Sequence, residues 1–265
     1  MMFSSITKNV LALRQNWPSF RTPFYEPEVD RVSNIPPEYN CRRILGSHVT
    51  KEAIDEWFID SGSNDHKLMI NIAETYGFSG GRVLEWGVGC SRMSRHLNQA
   101  LRPGFIGVDV DSVNIQWCRE NMKWGNYITV DKDGQIPLED KSVDLIYGWS
   151  VMTHLSEEDQ NKWLIELHRV CRGLVILSTH GFCHSAANAC WWSDVVCLLG
   201  WVRRGFRDAG VQNADISDVV GDGYYRDVAH TPAYIYEHWT KVIDVLDVIP
   251  GAFGGSHDAV VCRAR

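Results

Sequence analysis

No stretch of this chain is long and apolar enough to cross a membrane. Its most apolar neighbourhood, residues 189–202, is broken by Asp194 and falls short of the roughly 20 apolar residues a span requires. The start, MMFSSITKNVLALRQNW, has neither the apolar core nor the small-residue cleavage pattern of a secretory signal, so the cytoplasm is the expected compartment. Positive charge is also scarce: 26 Lys and Arg stand against 33 Asp and Glu among 265 residues, net −7. Without a basic stripe to neutralise phosphates, nucleic acid is not an expected partner. Eight cysteines include no Cys-x-x-Cys pair, which argues against zinc and dithiol sites. Cys183, Cys190 and Cys197 recur every seven residues beside His184, but clustered ligand spacing is missing and no metal is expected. The thiols read as buried, reduced, small apolar residues.

What is present is a regular alternation. Residues 1–50, with Pro18, Pro23, Pro27, Pro36 and Pro37, read as an irregular N-terminal arm. Apolar residues at three- and four-residue spacing over 65–76, ended by Gly77, predict an amphipathic helix. Strands are expected at 82–86, 105–109, 127–130, 143–149 and 174–179. Helices are expected between them at 91–101, with Met93, Leu97, Ala100 and Leu101 on one face, and at 112–122, with Val113 and Trp117 inward. A third, at 156–172, has a Ser156/Asp159 capping box and is closed by Gly173. Strands alternating with helices imply a parallel sheet. Residues 181–230 break the pattern with a Trp-rich stretch and a GDGYY turn, and read as an insertion over a site at the sheet's C-terminal edge. Thr231-Pro232 starts a helix through Trp239. Strands at 242–249 and 259–262 follow, joined by PGAFGGSHD, too short for a helical crossover, so they pair antiparallel.

Two blocks carry chemistry. In RVLEWGVGCSR, Gly87 and Gly89 fall between a strand and a helix, where missing side chains let backbone approach a ligand. Glu85 precedes them, and Asp109 ends the next strand. A dinucleotide fingerprint needs glycine where Arg92 stands, which weighs against NAD. The second block is IPLEDKSVDLIYGWSVMTHL. Together they resemble class I S-adenosylmethionine-dependent methyltransferases, in particular those found beside glycosyltransferases, over about residues 36–263. WLIELHRVCRGLVILSTHG, GYYRDVAHTPAYI and HDAVVCR extend the likeness.

That resemblance implies an α/β, Rossmann-like, doubly wound seven-stranded sheet of order 3-2-1-4-5-7-6. Strand 7 would be antiparallel and helices would cover both faces; residues 51–265 would form the domain. It implies S-adenosyl-L-methionine as cofactor, with S-adenosyl-L-homocysteine as product. Glu85, Trp86, Gly87, Gly89, Ser91, Asp109, Val110, Trp149 and Ser150 would contact it, with Asp109 on the ribose hydroxyls. Asp131 is expected near the adenine, with Asp133 an alternative; Ser91 stands where a third glycine is usual.

His154 and His180 each follow a parallel strand at the C-terminal edge and are the candidate bases, since imidazole is readily neutral near pH 7. Trp191, Tyr224 and Tyr225 offer aromatic surface for a sugar or aromatic acceptor. By association with the family, the expected reaction is O-methylation of a sugar or other small-molecule hydroxyl, with amine and carboxyl acceptors open. The alternatives are an inactive methyltransferase-like binding module and an NAD(P)-dependent reductase.

Overall fold

The computed structural model describes residues 35–45, 50, 54, 57–181, 201–211 and 216–264. Expectations for residues 1–34 and for Cys183, His184, Cys190, Trp191, Trp192 and Cys197 lie outside the described residues.

Short runs of aliphatic and β-branched residues make β1 (Val83–Trp86), β2 (Ile106–Asp109), β3 (Asn126–Thr129), β4 (Val143–Gly148) and β5 (Cys171–His180). They pair in parallel in the order β3-β2-β1-β4-β5. Two strands from residues 181–230 come next in the chain, β6 (Phe206–Val211) and β7 (Arg226–His230), followed by β8 (Asp244–Phe253) and β9 (His257–Arg263). β9 pairs antiparallel with both β5 and β8. β8 and β9 are thus the expected sixth and seventh strands, and the expected order and antiparallel final strand are present. β8 runs on to Phe253, so the hairpin turn is tighter than the sequence suggested. A register shift between Ile249 and Phe253 accommodates Pro250, as bulges do.

The β6–β7 hairpin is antiparallel and joins β5 through one bridge, His180 with Ala229. His180 also pairs with His257 of β9, so β7 takes the opposite edge, which β4 has left after Gly148 opposite Leu177. The hairpin therefore stands past the C-terminal end of β4, the edge where open α/β sheets bind ligands.

The described α-helices are α1 (Glu38–Leu45), α2 (Gly62–Thr75), α3 (Ser112–Asn121), α4 (Glu157–Val170), α5 (Ser217–Val220) and α6 (Pro232–His238). Alternating side chains divide the core into two layers. Leu84, Trp86, Ile146, Val175 and Leu177 pack with Trp163 and Leu167 of α4 and Ile235 of α6. Val83, Leu145, Tyr147, Leu174 and Ile176 pack with Met69 and Ile72 of α2 and Ile115 and Cys118 of α3. Both expected caps are made: Ser156 accepts from the Asp159 amide and Thr231 from the Tyr234 amide. Cys41, Cys90, Cys118, Cys171 and Cys262 are buried thiols. Among the described residues, no helix is long and apolar enough to cross a membrane.

Several expectations are corrected. α1 lies within the arm read as irregular; Glu38 occupies its first turn and Arg42 and Arg43 its last, a charge order that suits the helix dipole. Residues 91–101 form turns and one 3-10 segment, Ser94–His96, instead of a helix. Ser91 is left-handed at φ 61°, and its hydroxyl bonds Ser94 Oγ and Tyr127 Oη; such local bonding competes with helix. Gly173 does not close α4 but lies inside β5, where a Cβ would come within 2.1 Å of the Asp144 carbonyl oxygen. In α3 the buried residues are Asn114, Ile115 and Cys118; Trp117 packs against the core while partly buried, and Val113 is not among the buried residues.

Candidate active site

The chain turns sharply where β1 ends. Gly87 and Gly89 have φ of 74° and 50°, and a Cβ on Gly87 would sit 2.2 Å from Val151 Cγ2. Backbone conformation and space both require glycine there. The Gly89 amide donates to Asp109 Oδ2 at 2.7 Å and the Asp111 amide to Asp109 Oδ1 at 2.9 Å. A carboxylate offers about four lone-pair positions, so both oxygens keep capacity for a ligand's hydroxyls. Burial pushes the Asp109 carboxyl up to about 6.

A cavity of about 310 Å³ opens beside this turn. Of the residues expected at the site, Trp86, Gly87, Gly89, Asp109, Val110, Trp149 and Ser150 line it, as do His154, Tyr224 and Tyr225. Glu85, Ser91, Asp131 and His180 do not line it. Strand alternation turns Glu85 into the layer of Tyr147, whose hydroxyl donates to it at 3.4 Å; burial pushes that carboxyl up to about 7. Ser91 is held inside the loop by the bonds already described. Asp131 is exposed, while its neighbour Val130 lines the cavity. His180 is buried, its Nδ1 3.2 Å from Asp227 Oδ1.

Other walls come from residues the sequence did not single out. Val130, Leu155 and Trp163 form an apolar side. The Trp163 ring packs on Trp86 at 5.2 Å, and its Nε1 donates to Tyr224 Oη at 3.4 Å. Tyr224 in turn donates to the Lys132 carbonyl, and burial pushes its phenol up to about 12. From α1 come Arg43, Ile44 and Leu45. Arg43 Nε and Nη2 donate to Asp111 at 2.6 and 3.1 Å, and Nη1 and Nη2 to Asp218 at 3.1 and 3.0 Å. The Arg43 and Asp111 side chains are 3% and 5% exposed. One guanidinium thus draws together α1, the start of α3 and α5.

Past β4 the geometry favours proton transfer. Ser150 is left-handed at φ 57°, its amide bonded to Ser178 Oγ at 2.6 Å; strain of this kind in non-glycine residues clusters at functional sites. His154 Nδ1 lies 2.9 Å from the Arg226 carbonyl oxygen. A carbonyl only accepts, so Nδ1 carries the hydrogen and Nε2 is bare, 3.3 Å from Ser150 Oγ. The ring stacks on Tyr225 at 3.9 Å, and burial pushes the imidazole down to about 4, leaving it neutral near pH 7.

His257, which the sequence reading passed over, has Nε2 3.4 Å from the same Ser150 oxygen and stacks on Trp149 at 4.9 Å. The β5–β9 register brings it there, and only a sequence-level clue to that register would have revealed it. Among the described residues, no group of three His, Cys, Asp or Glu side chains is placed to hold a metal.

Residues 83–173 match the family model described as a methyltransferase domain. No curated protein sequence matches the chain. Among solved structures, a SAM dependent methyltransferase from Aquifex aeolicus aligns at TM-score 0.51 and 15% identity, covering 87% of this chain and 100% of that one. The PH0226 protein from Pyrococcus horikoshii OT3 aligns at 0.52 and 16%, covering 79% and 96%. The glycopeptide N-methyltransferase MtfA complexed with S-adenosyl-L-methionine aligns at 0.52 and 13%, covering 76% and 87%. At these identities the likeness is one of fold.

The matched segment runs from β1 through the start of β5, the half of the sheet that carries the cavity's glycine turn and Asp109. Residues 83–173 carry a methyltransferase domain, and the strand order is that of the class I S-adenosylmethionine-dependent methyltransferase fold, whose cofactor is S-adenosyl-L-methionine. The residues present fit that group: a carboxylate at the tip of β2 suits a vicinal diol, a glycine turn admits close backbone approach, and apolar and aromatic walls suit a purine.

Proposed function

We propose that this methyltransferase transfers a methyl group to a hydroxyl of a sugar or similar small molecule, with His154 as the base. The observation that carries this reading is the fixed tautomer of His154. Its Nδ1–H is committed to Arg226, and its bare Nε2 belongs to a neutral ring beside the cavity. A hydroxyl must lose its proton as it is methylated, and a neutral, oriented imidazole accepts one.

Asp109 would hold the ribose hydroxyls, Val110, Val130, Leu155 and Trp163 the base, and the turn at Gly87 and Gly89 the middle of the cofactor. Trp149 and Ser150 would border its methionine end. Bound there, the sulfonium supplies an activated methyl group. Glu85, behind the turn, would support the loop from beneath through Tyr147. Tyr224 and Tyr225 would present aromatic faces to the acceptor, and the β6–β7 hairpin within residues 181–230 would form the acceptor side. His180, bonded to Asp227, stands behind His154 with ring centroids 6.3 Å apart and is the reserve base.

Because burial pushes the Asp109 carboxyl up to about 6, acidification protonates it and removes its charge and part of the acceptor capacity its diol needs. Calorimetry is expected to show S-adenosylhomocysteine affinity steady above about pH 7 and falling, by up to about tenfold per pH unit, as pH drops through about 6. The reaction itself is tested with methyl-labelled S-adenosylmethionine and a mixed monosaccharide pool, with simple amines as the competing class. Label should enter a base-stable ether, and His154→Gln should lower the rate about 100-fold or more while S-adenosylhomocysteine still binds. Label on nitrogen, or an unimpaired His154→Gln enzyme, would overturn the reading.

A further inference from the structure

Resting on the hydroxyl-acceptor reading, we infer that Ser150 carries the acceptor's proton to His154, and that His257 is a positioning residue that sets the direction of this relay. The Ser150 hydroxyl has one hydrogen and lies near three side chains: Thr153 Oγ1 at 3.2 Å, His154 Nε2 at 3.3 Å and His257 Nε2 at 3.4 Å. Only one of the three has a polarity fixed by backbone. His154 Nε2 is bare because Nδ1–H is committed to the Arg226 carbonyl, so it can only accept, and the Ser150 hydrogen points to it.

His257 must then donate Nε2–H to Ser150. That tautomer leaves its Nδ1 bare, and the Ser256 hydroxyl, 3.0 Å away, serves it by turning its hydrogen from the Phe253 carbonyl, which lies farther off at 3.5 Å. Stacking on Trp149 and strand pairing in β9 fix the ring. The left-handed Ser150 backbone, pinned by Ser178, fixes the hydroxyl.

Ser150 borders the cavity and His257 does not, so the acceptor meets Ser150. During transfer, a bond forms between the acceptor oxygen and the methyl carbon as the carbon–sulfur bond breaks, its electron pair staying on sulfur. The acceptor's hydrogen passes to Ser150 Oγ while the hydrogen already there passes to His154 Nε2. An imidazolium, bonded to Arg226 through Nδ1–H, replaces the sulfonium charge. The proton then leaves to water.

Nitrogen-15 spectra of the full chain at neutral pH, with S-adenosylhomocysteine as the probe ligand, read the polarity without any acceptor. The expected result is His154 protonated at Nδ1 and His257 at Nε2. Ser150→Gly, which keeps the left-handed backbone and deletes the hydroxyl, should shift the His154 Nε2 resonance toward that of an unbonded imidazole nitrogen. A bare His257 Nε2, or an unmoved His154 signal, overturns the relay. With the monosaccharide pool, Ser150→Gly should lower the rate at saturating cofactor about 100-fold. His257→Gln, which can still donate, should recover most of what His257→Phe loses; equal losses would mean that the ring only packs. Failure of the wild-type chain to bind the probe or to methylate oxygen sinks the hydroxyl-acceptor reading instead, and the nitrogen spectra still decide the polarity.

Discussion

Asp109→Ala is expected to weaken S-adenosylhomocysteine binding at least about 100-fold, since hydrogen bonds to a charged group contribute about 1.5–3 kcal/mol each. Two of them would go to the ribose. The same substitution strips acceptors from the Gly89 and Asp111 amides, so the glycine turn loses its tie to β2 as well. Asp109→Asn, which keeps one oxygen, should fall between wild type and alanine. Calorimetry on the three proteins, with thermal unfolding as a check on folding, measures this directly. An alanine variant that binds as tightly as wild type would remove the cofactor role from this carboxylate.

Arg43→Met should be the most destabilising of these changes. It keeps most of the volume but leaves Asp111 charged and buried, a situation that costs about 3–5 kcal/mol. Asp218 adds little to that figure, because its side chain is 56% exposed and water screens it. At roughly 2–4 °C per kcal/mol for chains near this size, the melting temperature should fall by about 10 °C. Asp111→Asn in the Arg43→Met background should recover part of the loss, since the unpaired charge is then gone. A melting temperature within a degree of wild type would mean that the buried pair does not hold α1 in place.

The readable part of this molecule is the part governed by local periodicity. A continuous apolar run marked β5, the alternation of short strands with helices marked β1, β2 and β4, and the short link PGAFGGSHD forced an antiparallel hairpin. Where tertiary contacts decide, the sequence was silent or misleading. Residues 91–101 have a helical apolar pattern, but the Ser91 and Ser94 hydroxyls bond each other and Tyr127, and the helix does not form. Gly173 looked like a stop because glycine ends many helices; its cause is the close approach of Asp144 across the β4–β5 pair.

The site divides the same way. Asp109 lies at a strand end that the pattern located, Trp149 and Ser150 just past another, and His154 on the 3-10 turn that follows. Arg43 and Trp163 reach the cavity through packing between distant segments, and His257 reaches Ser150 through strand register, none of which has a local signature. Asp131 was named because the resemblance places an acid after the third strand, but it is exposed, and its apolar neighbour Val130 lines the cavity instead.

Among the described residues, a single strand-to-strand bridge stitches the β6–β7 hairpin into the sheet. Further ties are made by individual groups, among them Asp218 with Arg43, Tyr224 with Trp163, Asp227 with His180, and the Arg226 carbonyl with His154. Rewriting residues 206–230 would leave the β1–β5 ladders paired as they are, but each of those four groups would have to be replaced in the new segment for α1 and His154 to keep their settings.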